Sequence, residues 1–283
     1  PTRGEVSPVE FIPVLEQTGM ICPVGLWALE TALKQCREWR RTLETLHISV
    51  NMSYVQLSKD NIARQVLDLL EKSGLPGDAL TLEVTESMQL QDYPYFNKLF
   101  YQWKQAGIEI SVDDFGTGYS SLGYLKNLDI DEIKIDRCFV SGIQHSSYNY
   151  RLLSNMVELA RAAQIRVCCE GVEAQDELAA LEELGPDLLQ GFLFNRPLTA
   201  QTFTDTYIRQ DTPEYAGYAA LKGELSRLKW SKEQLPRDMC PTTDTLESIV
   251  EALDEIVYVS DLVTYELYYL NPAGRRLTGV HDY

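Results

Sequence analysis

The stretch Val112-Asp113-Asp114-Phe115-Gly116-Thr117-Gly118-Tyr119-Ser120-Ser121 decides the fold, because it sets two adjacent carboxylates at the end of an apolar strand. The β-branched content of residues 108–112 predicts that strand, and Gly116 and Gly118 give the backbone freedom to turn after it. Two carboxylates about 4 Å apart repel each other by about 4 kcal/mol at an effective dielectric constant near 20. A positive charge is therefore expected beside the two aspartates, and a divalent metal ion is the usual one.

The same ten residues have a simpler interpretation, which is an ordinary turn between a strand and a loop. Asp often caps backbone amides in turns, and Gly often adopts left-handed conformations there. The motif alone does not separate the two interpretations. The other strands provide the test, because a functional site at one strand end predicts matching polar residues at the neighbouring ends.

Strand and helix patterns alternate through the first 200 residues. The predicted strands are 48–52, 80–85, 108–112, 133–135, 165–169 and 188–189. The predicted helices are 24–40, 59–72, 93–105, 150–163, 176–184 and 203–209, and residues 1–20 look loop-like. Strands separated by helices in this way predict a parallel sheet that is buried on both faces.

Two architectures have this alternation, an open doubly wound sheet and a (β/α)8 barrel. Nearly every predicted strand ends in a polar residue. These residues are Asn51, Glu83, Asp113 with Asp114, Lys134 with Asp136, Glu170 with Glu173, and Gln190. An open sheet gathers its site at one switch point, whereas a barrel collects all strand ends around one mouth. The pattern favours the barrel.

Composition excludes several classes of protein. A net charge of -17 argues against binding to nucleic-acid polymers or anionic membranes, because nothing offsets the repulsion from phosphate. The six cysteines form no C-x-x-C pair, which argues against a zinc site and a disulfide scaffold. The sequence has no run of about 18 apolar residues and no signal peptide. A cytoplasmic location without membrane contact is expected from this segment.

Several short segments are similar to the EAL-domain family, the phosphodiesterases that linearise cyclic di-GMP. The matching segments are Phe11-Ile12-Pro13, Asn51-Met52-Ser53, Leu82 to Ser87, Asp113 to Ser121, Ile133 to Asp136, Glu170 to Glu173, and Gln190-Gly191-Phe192 with Pro197. Each segment is short, but together they occur in order on successive strand ends. The resemblance implies a TIM-type barrel and hydrolysis of cyclic di-GMP to linear pGpG.

The resemblance also implies two bound metal ions, Mg2+ or Mn2+. Oxygen ligands such as carboxylates and an Asn amide suit these hard cations. The implied ligands are Asn51, Glu83, Asp113, Asp114 and Glu170.

The remaining motif residues take catalytic, substrate-binding or structural roles by the same resemblance. Lys134, Glu170 and Glu173 are the implied catalytic residues, and Lys134 would orient the attacking water or help to deprotonate it. Asp136 and Gln190 are implied to bind the substrate. Glu86 would anchor the loop formed by residues 115–121. Some of these residues also have structural interpretations when they are taken singly. Asn51 could be a capping or turn residue, Lys134 a salt-bridge partner at the strand end, and Gln190 a hydrogen-bond partner of loop backbone. Of the whole set, Glu86 fits a structural role best.

One motif of the family is missing from the chain. The name-giving Glu-Ala-Leu segment, whose Glu is a metal ligand, normally precedes the segments that residues 1–4 and 11–13 match. We therefore expect that this Glu and the first two barrel strands lie before residue 1. A fragment of this kind, made alone, is expected to be poorly soluble and inactive, because an opened barrel leaves bare strand edges.

The sequence predicts three regions. Residues 1–210 are the predicted phosphodiesterase barrel, and residues 211–245 are a predicted helical linker. Residues 246–283 resemble the start of a PAS sensory domain, with strand-like runs at 256–259 and 265–270. A homodimer with cyclic di-GMP as its ligand is expected.

Three functions are compatible with these patterns. The favoured one is a metal-dependent cyclic di-GMP phosphodiesterase. The alternative is a catalytically inactive EAL-like module that binds cyclic di-GMP or a partner protein as a signal receptor. The third is an unrelated metal-dependent hydrolase on a similar scaffold, which would cleave other phosphodiesters without preferring cyclic di-GMP.

Overall fold

The computed structural model describes residues 6–85, 93–117, 128–209, 211, 258–260 and 267–270. By its internal contacts the chain divides into two units, Pro1–Lys229 and Trp230–Tyr283. Glu86 lies outside the described residues, as do residues 118–121 of the opening motif and all of the predicted linker except residue 211.

Six parallel strands form the sheet of the first unit. They are β1 (Ile48–Met52), β2 (Leu80–Thr85), β3 (Glu109–Phe115), β4 (Glu132–Ile135), β5 (Arg166–Cys169) and β6 (Leu188–Leu189). They pair strictly in chain order, from β1 at one edge to β6 at the other. A doubly wound sheet reverses its strand order at a switch point, whereas a barrel does not. All six predicted strands are confirmed, and their order favours winding of the barrel type.

Nine α-helices lie in the part of the chain that the structure describes. They are α1 (Pro8–Thr18), α2 (Ile21–Arg40), α3 (Tyr54–Leu57), α4 (Ile62–Ser73), α5 (Tyr93–Gln105), α6 (Arg137–Val140), α7 (Ser147–Ala162), α8 (Gln175–Leu184) and α9 (Ala200–Phe203). The first five predicted helices are confirmed as α2, α4, α5, α7 and α8. The last one is partly wrong, because α9 ends at Phe203 and continues as a π-helix over Thr204–Ile208.

The prediction of a loop over residues 1–20 is wrong for Pro8–Thr18, which form α1. Its prolines suggested a loop, but Pro8 stands at the start of the helix, where its missing N–H costs no hydrogen bond. Gly19 ends the helix in a left-handed conformation with φ of 73°. A proline at the first position and a glycine after the last one are helix signals, and they outweigh the proline content of this segment.

The strands have one apolar face and one polar face. On β2, Leu80, Leu82 and Val84 are buried in the main hydrophobic core, which also contains aromatic side chains of α5. The intervening Thr81 and Glu83 are also buried, on the opposite face, because side chains alternate along a strand. Burial on both faces was expected, but the polar character of the second face was not, and this face carries the site.

The described part of the second unit is a two-stranded antiparallel ladder. It pairs β7 (Tyr258–Ser260) with β8 (Leu267–Leu270). Both strands overlap the strand-like runs predicted from the sequence. The similarity to a PAS domain stays a prediction. Among the described helices, none combines the length and the apolar character that a membrane span needs.

Candidate active site

Five consecutive strands bring polar side chains together where the strands end. Asn51 lies on β1, Glu83 on β2, Asp113 on β3 and Lys134 on β4, and Glu170 directly follows β5. We call these five residues the strand-end cluster. The ladder register sets Asn51 beside Glu83, and Asn51 Nδ2 donates a hydrogen bond of 3.1 Å to Glu83 Oε2. The side-chain amide oxygen of Asn51, Oδ1, is then the atom that a cation would contact.

Lys134 is the centre of the strand-end cluster. Its Nζ lies 2.7 Å from Glu170 Oε1, 2.9 Å from Glu83 Oε1 and 3.6 Å from Asp113 Oδ1. The Lys134 side chain is only 7% exposed, so these ion pairs are shielded from water. Three carboxylates share one ammonium, and the cluster therefore carries an excess of two negative charges.

The protonation state of Lys134 follows from these contacts. Burial alone would favour the neutral amine, but the hydrogen bonds to Glu170 and Glu83 and the charge of Asp113 outweigh it. Together they hold the pKa of Lys134 well above its usual range. A lysine that stays protonated can orient a water molecule by donating a hydrogen bond, but it cannot remove a proton from it. Both roles implied for Lys134, orienting the attacking water and helping to deprotonate it, stay predictions.

Glu170 is the carboxylate of the cluster that lies closest to Lys134 Nζ. Desolvation raises the pKa of Glu170 above its usual range, and the nearby charges of Asp113 and Glu83 act in the same direction. The hydrogen bond and charge of Lys134 oppose this shift. The Glu170 backbone N–H donates to the carbonyl of Ile135 at 3.0 Å, which continues the ladder and fixes the backbone below the carboxylate.

Asp113 and Asp114 lie at an irregularity of β3. The strand extends to Phe115, three residues beyond its predicted end, and its register with β4 shifts between Val112 and Phe115. Asp114 takes a left-handed conformation with φ of 56°, which is uncommon for a residue other than glycine. As a result Asp113 reaches the cluster, while Asp114, which is still within β3, is exposed.

Three other predicted site residues have different contacts. Asp136 caps α6, since its Oδ1 accepts a hydrogen bond of 2.8 Å from the Cys138 backbone N–H. Glu173 is exposed and lies 3.7 Å from Arg137 Nη1. Gln190 is also exposed, and its backbone binds the segments around Cys169 and Val172. The catalytic role implied for Glu173 and the substrate-binding roles implied for Asp136 and Gln190 stay predictions.

Glu177 is a buried residue near the site that the sequence analysis did not identify. Its Oε1 accepts a hydrogen bond from the Gly142 backbone N–H, and its Oε2 accepts hydrogen bonds from those of Glu173 and Ala174. Burial opposes ionisation, but the three N–H donors together hold the pKa of Glu177 below its usual range. The signal was present in the sequence, because a Glu three residues into a helix commonly reaches back to the preceding backbone.

The donor chemistry of the cluster fits a hard divalent cation. Three carboxylates and one amide oxygen are the ligands that Mg2+ and Mn2+ prefer. The ligand types suit a metal ion, but their arrangement does not surround one, because each carboxylate directs an oxygen at Lys134. Within the described ranges, no group of three or more His, Cys, Asp or Glu residues is placed to hold a metal ion. The residues thus match the ion in type, and in this structure an ammonium lies between them.

Comparison with known proteins identifies the family. The profile of the EAL domain matches residues 1–197. The bifunctional diguanylate cyclase/cyclic di-GMP phosphodiesterase MucR of Pseudomonas aeruginosa is 38% identical over 205 residues, covering 71% of this chain and 30% of that protein. The cyclic di-GMP phosphodiesterase PdeR of Escherichia coli is 34% identical over 209 residues, covering 74% of this chain and 32% of that protein.

The fold agrees with this comparison. A solved structure of the PaMucR phosphodiesterase in complex with c-di-GMP matches with a TM-score of 0.68 at 38% identity, covering 72% of this chain and 83% of that chain. The chain spans only about a third of the length of the two curated relatives. The family profile covers more than half of the chain, and its fold, its motifs and its relatives agree, so the chain belongs to the EAL domain family.

Proposed function

We propose that this chain hydrolyses cyclic di-GMP to the linear dinucleotide pGpG with the help of two divalent metal ions. The strand-end cluster carries the proposal, because five consecutive strands bring three carboxylates, an amide and an ammonium together around the buried Lys134 and Glu83. The relatives named as cyclic di-GMP phosphodiesterases and the solved c-di-GMP complex support the choice of substrate.

The proposed metal ligands are the residues with oxygen donors at the strand ends. They are Asn51, Glu83, Asp113, Asp114 and Glu170. Bound Mg2+ or Mn2+ would neutralise the excess negative charge of the cluster and would supply Lewis-acid chemistry for phosphodiester hydrolysis. This role also explains how a chain with a net charge of -17 could accept an anionic dinucleotide.

The chain's own residues have separate proposed roles. Lys134 holds Glu83, Asp113 and Glu170 together, and it orients the attacking water or helps to deprotonate it. Glu170 and Glu173 complete the proposed catalytic set. Asp136 and Gln190 are proposed on the substrate side, and Glu86 as the anchor of the loop that follows β3.

The domain arrangement is a further part of the proposal. We propose a hydrolase domain over residues 1–210, a helical linker over 211–245 and a PAS-like domain over 246–283. The division of the chain after Lys229 falls inside the proposed linker and supports a boundary there. A homodimer and a cytoplasmic location stay predictions.

One observation favours a second candidate, a catalytically silent EAL-like receptor. The ammonium of Lys134 occupies the point on which the three carboxylates converge. If metal ions do not displace or join this lysine, the chain could still bind the nucleotide without cleaving it. The two candidates differ in turnover and agree in nucleotide binding.

The test is hydrolysis of cyclic di-GMP with Mg2+ by the full-length protein and by its Glu83→Ala variant. We expect turnover in the unaltered protein and a loss of at least about a hundredfold in the variant, since it lacks a carboxylate that acts at the reacting centre. Glu109→Ala is the matched control, because Glu109 is also a strand glutamate but pairs with Arg166 at 2.6 Å, away from the cluster. Nucleotide binding without turnover in the unaltered protein would favour the silent receptor.

A further inference from the structure

A second charged group lies on the same polar face of the sheet, one layer closer to the amino ends of the strands. Arg166 Nη1 and Nη2 donate hydrogen bonds to Glu109 Oε1 and Oε2 at 2.9 and 2.6 Å. Glu132 Oε1 accepts a hydrogen bond of 3.0 Å from Ser111 Oγ, and Glu132 Oε2 lies 3.4 Å from Arg166 Nε. We call Glu109, Ser111, Glu132 and Arg166 the Arg166 network.

Of the ionisable residues in this network, Glu132 is the one that is buried. It is 6% exposed and Ser111 is 0% exposed, whereas the Arg166 and Glu109 side chains reach water. Burial raises the pKa of Glu132, and the Ser111 hydrogen bond and the Arg166 charge oppose that shift. The interior of such barrels is usually filled by branched aliphatic side chains, which cost less to bury. Stability alone therefore does not account for a carboxyl group at this position.

The position of the Arg166 network relative to the strand-end cluster suggests its role. Ser111 precedes Asp113 by two residues on β3, and Glu132 precedes Lys134 by two residues on β4, so each pair shares one face of its strand. On β5, Arg166 precedes Glu170 by four residues and lies on that face as well. On β3 and β4 a network residue thus lies one step before a cluster residue on the same face, whereas on β5 Cys168 lies between Arg166 and Glu170.

The ladder between β3 and β4 shows why a link is needed there. Ser111 pairs in register with Glu132, and Val112 pairs with Ile133, but the register then shifts before Phe115. The Ser111–Glu132 hydrogen bond is therefore a side-chain link between the two strands directly before the irregularity that carries Asp113. Without this hydrogen bond, the position of Asp113 relative to Lys134 along the strand direction would depend on an irregular stretch of backbone.

We infer that Glu132 is a positioning residue for the active site. Through Ser111 it fastens β3 to β4, and through Arg166 it fastens β4 to β5. This clamp holds Asp113, Lys134 and Glu170 within ion-pair distance of one another. The effect on turnover rests on the proposed function, whereas the effect on the geometry of the cluster does not.

Kinetics of three variants test the inference in the full-length protein. We expect Glu132→Leu to lower kcat about tenfold to a hundredfold, as a small displacement of reacting groups does, and to leave KM nearly unchanged because Glu132 does not touch the substrate. Ser111→Ala, a mild change in volume, should lower kcat in the same way but less. Glu132→Gln keeps an acceptor for Ser111 and should restore most of the turnover.

Glu109→Gln is the matched control for a purely structural role. It removes the bidentate partner of Arg166 and should lower the melting temperature at least as much as Ser111→Ala does, but it should leave kcat unchanged. If kcat simply follows the melting temperature across all four variants, Glu132 is structural only and the inference is overturned.

Crystal structures of the Glu132→Leu and Ser111→Ala variants provide a measurement that does not depend on turnover. We expect Lys134 Nζ and Asp113 Oδ1 to separate beyond the 3.6 Å seen here in at least one variant. If both variants keep the three Lys134 ion pairs unchanged, the inference fails even where hydrolysis is confirmed. If the unaltered protein does not cleave cyclic di-GMP, the proposed function fails, and these distances still decide the inference.

Discussion

The strand-end cluster and the Arg166 network are two layers of charged side chains on one polar face of the sheet. They differ in the ratio of negative to positive charges. In the Arg166 network, a guanidinium binds one glutamate through two hydrogen bonds and lies beside a second glutamate that a hydroxyl also satisfies. In the strand-end cluster, three carboxylates share one ammonium through single contacts. The first layer is nearly satisfied by its own residues, and the second has negative charge to spare.

This difference suggests how a structural network of buried charges can be distinguished from a functional site. A buried ion pair contributes little to net stability and is costly to break on one side. Binding of a cation lowers the free energy of a network with a large excess of negative charge more than that of a network with a small excess, and the excess is three carboxylates to one ammonium in the cluster against two carboxylates to one guanidinium in the Arg166 network. The comparison therefore predicts that the two layers respond differently to the same kind of substitution.

The largest expected effect is that of Lys134→Met in metal-free protein. The variant leaves three buried carboxylates without a cation, and removing one partner of a buried pair costs about 3–5 kcal/mol of unfolding free energy. Mg2+ should restore much of the lost melting temperature, because it supplies the missing charge. Arg166→Met in the other layer should also lower the melting temperature, but Mg2+ should restore much less of it, because two carboxylates remain there instead of three and Ser111 Oγ already donates a hydrogen bond to one of them. Equal responses to Mg2+ in the two variants would remove the distinction between the layers.

A smaller effect is expected when each layer loses one negative charge. Asp113→Asn removes the most distant of the three carboxylates from Lys134 and relieves repulsion, so the unfolding free energy without metal should change by less than about 1 kcal/mol. Glu109→Gln removes the acceptor of two charged hydrogen bonds and should cost about 1–2 kcal/mol, a range reduced for solvent exposure. Urea denaturation measures both. A larger loss for Asp113→Asn than for Glu109→Gln would contradict the charge balance inferred here.

The smallest expected effect is a pH dependence in the Arg166 network. The hydrogen bonds from Arg166 outweigh burial and hold the pKa of Glu109 below its ordinary value of 4.5. A carboxyl group with a lowered pKa stabilises the fold above its unfolded-state pKa, and this contribution is lost as the pH falls through the folded-state value. The stability difference between the unaltered protein and Glu109→Gln should therefore be full at neutral pH and shrink under acid conditions. A difference that stays constant down to the acid unfolding of the protein would show that Glu109 stabilises the fold in another way.

Much of the fold followed from local patterns in the sequence. The six strands and the long helices were predicted because apolar periodicity and stop signals such as Gly74 depend only on neighbouring residues. The motif residues Asn51, Glu83, Asp113 and Lys134 were found because they end successive strands. The helix over residues 8–18 was missed, since proline counts obscured a helix-starting proline.

Only the tertiary structure decided what these residues contact. No sequence pattern shows that Lys134 Nζ lies between three carboxylates, because that depends on strand register and on the irregularity between Val112 and Phe115. The hydrogen bond from the Gly142 backbone to Glu177 and the link from Ser111 to Glu132 likewise join residues that lie 35 and 21 positions apart. The sequence by itself determined where the strands lie along the chain and which polar residues stand at their ends. The distances between those groups, and hence the protonation of Lys134 and the charge left over for a cation, exist only once the strands are packed side by side.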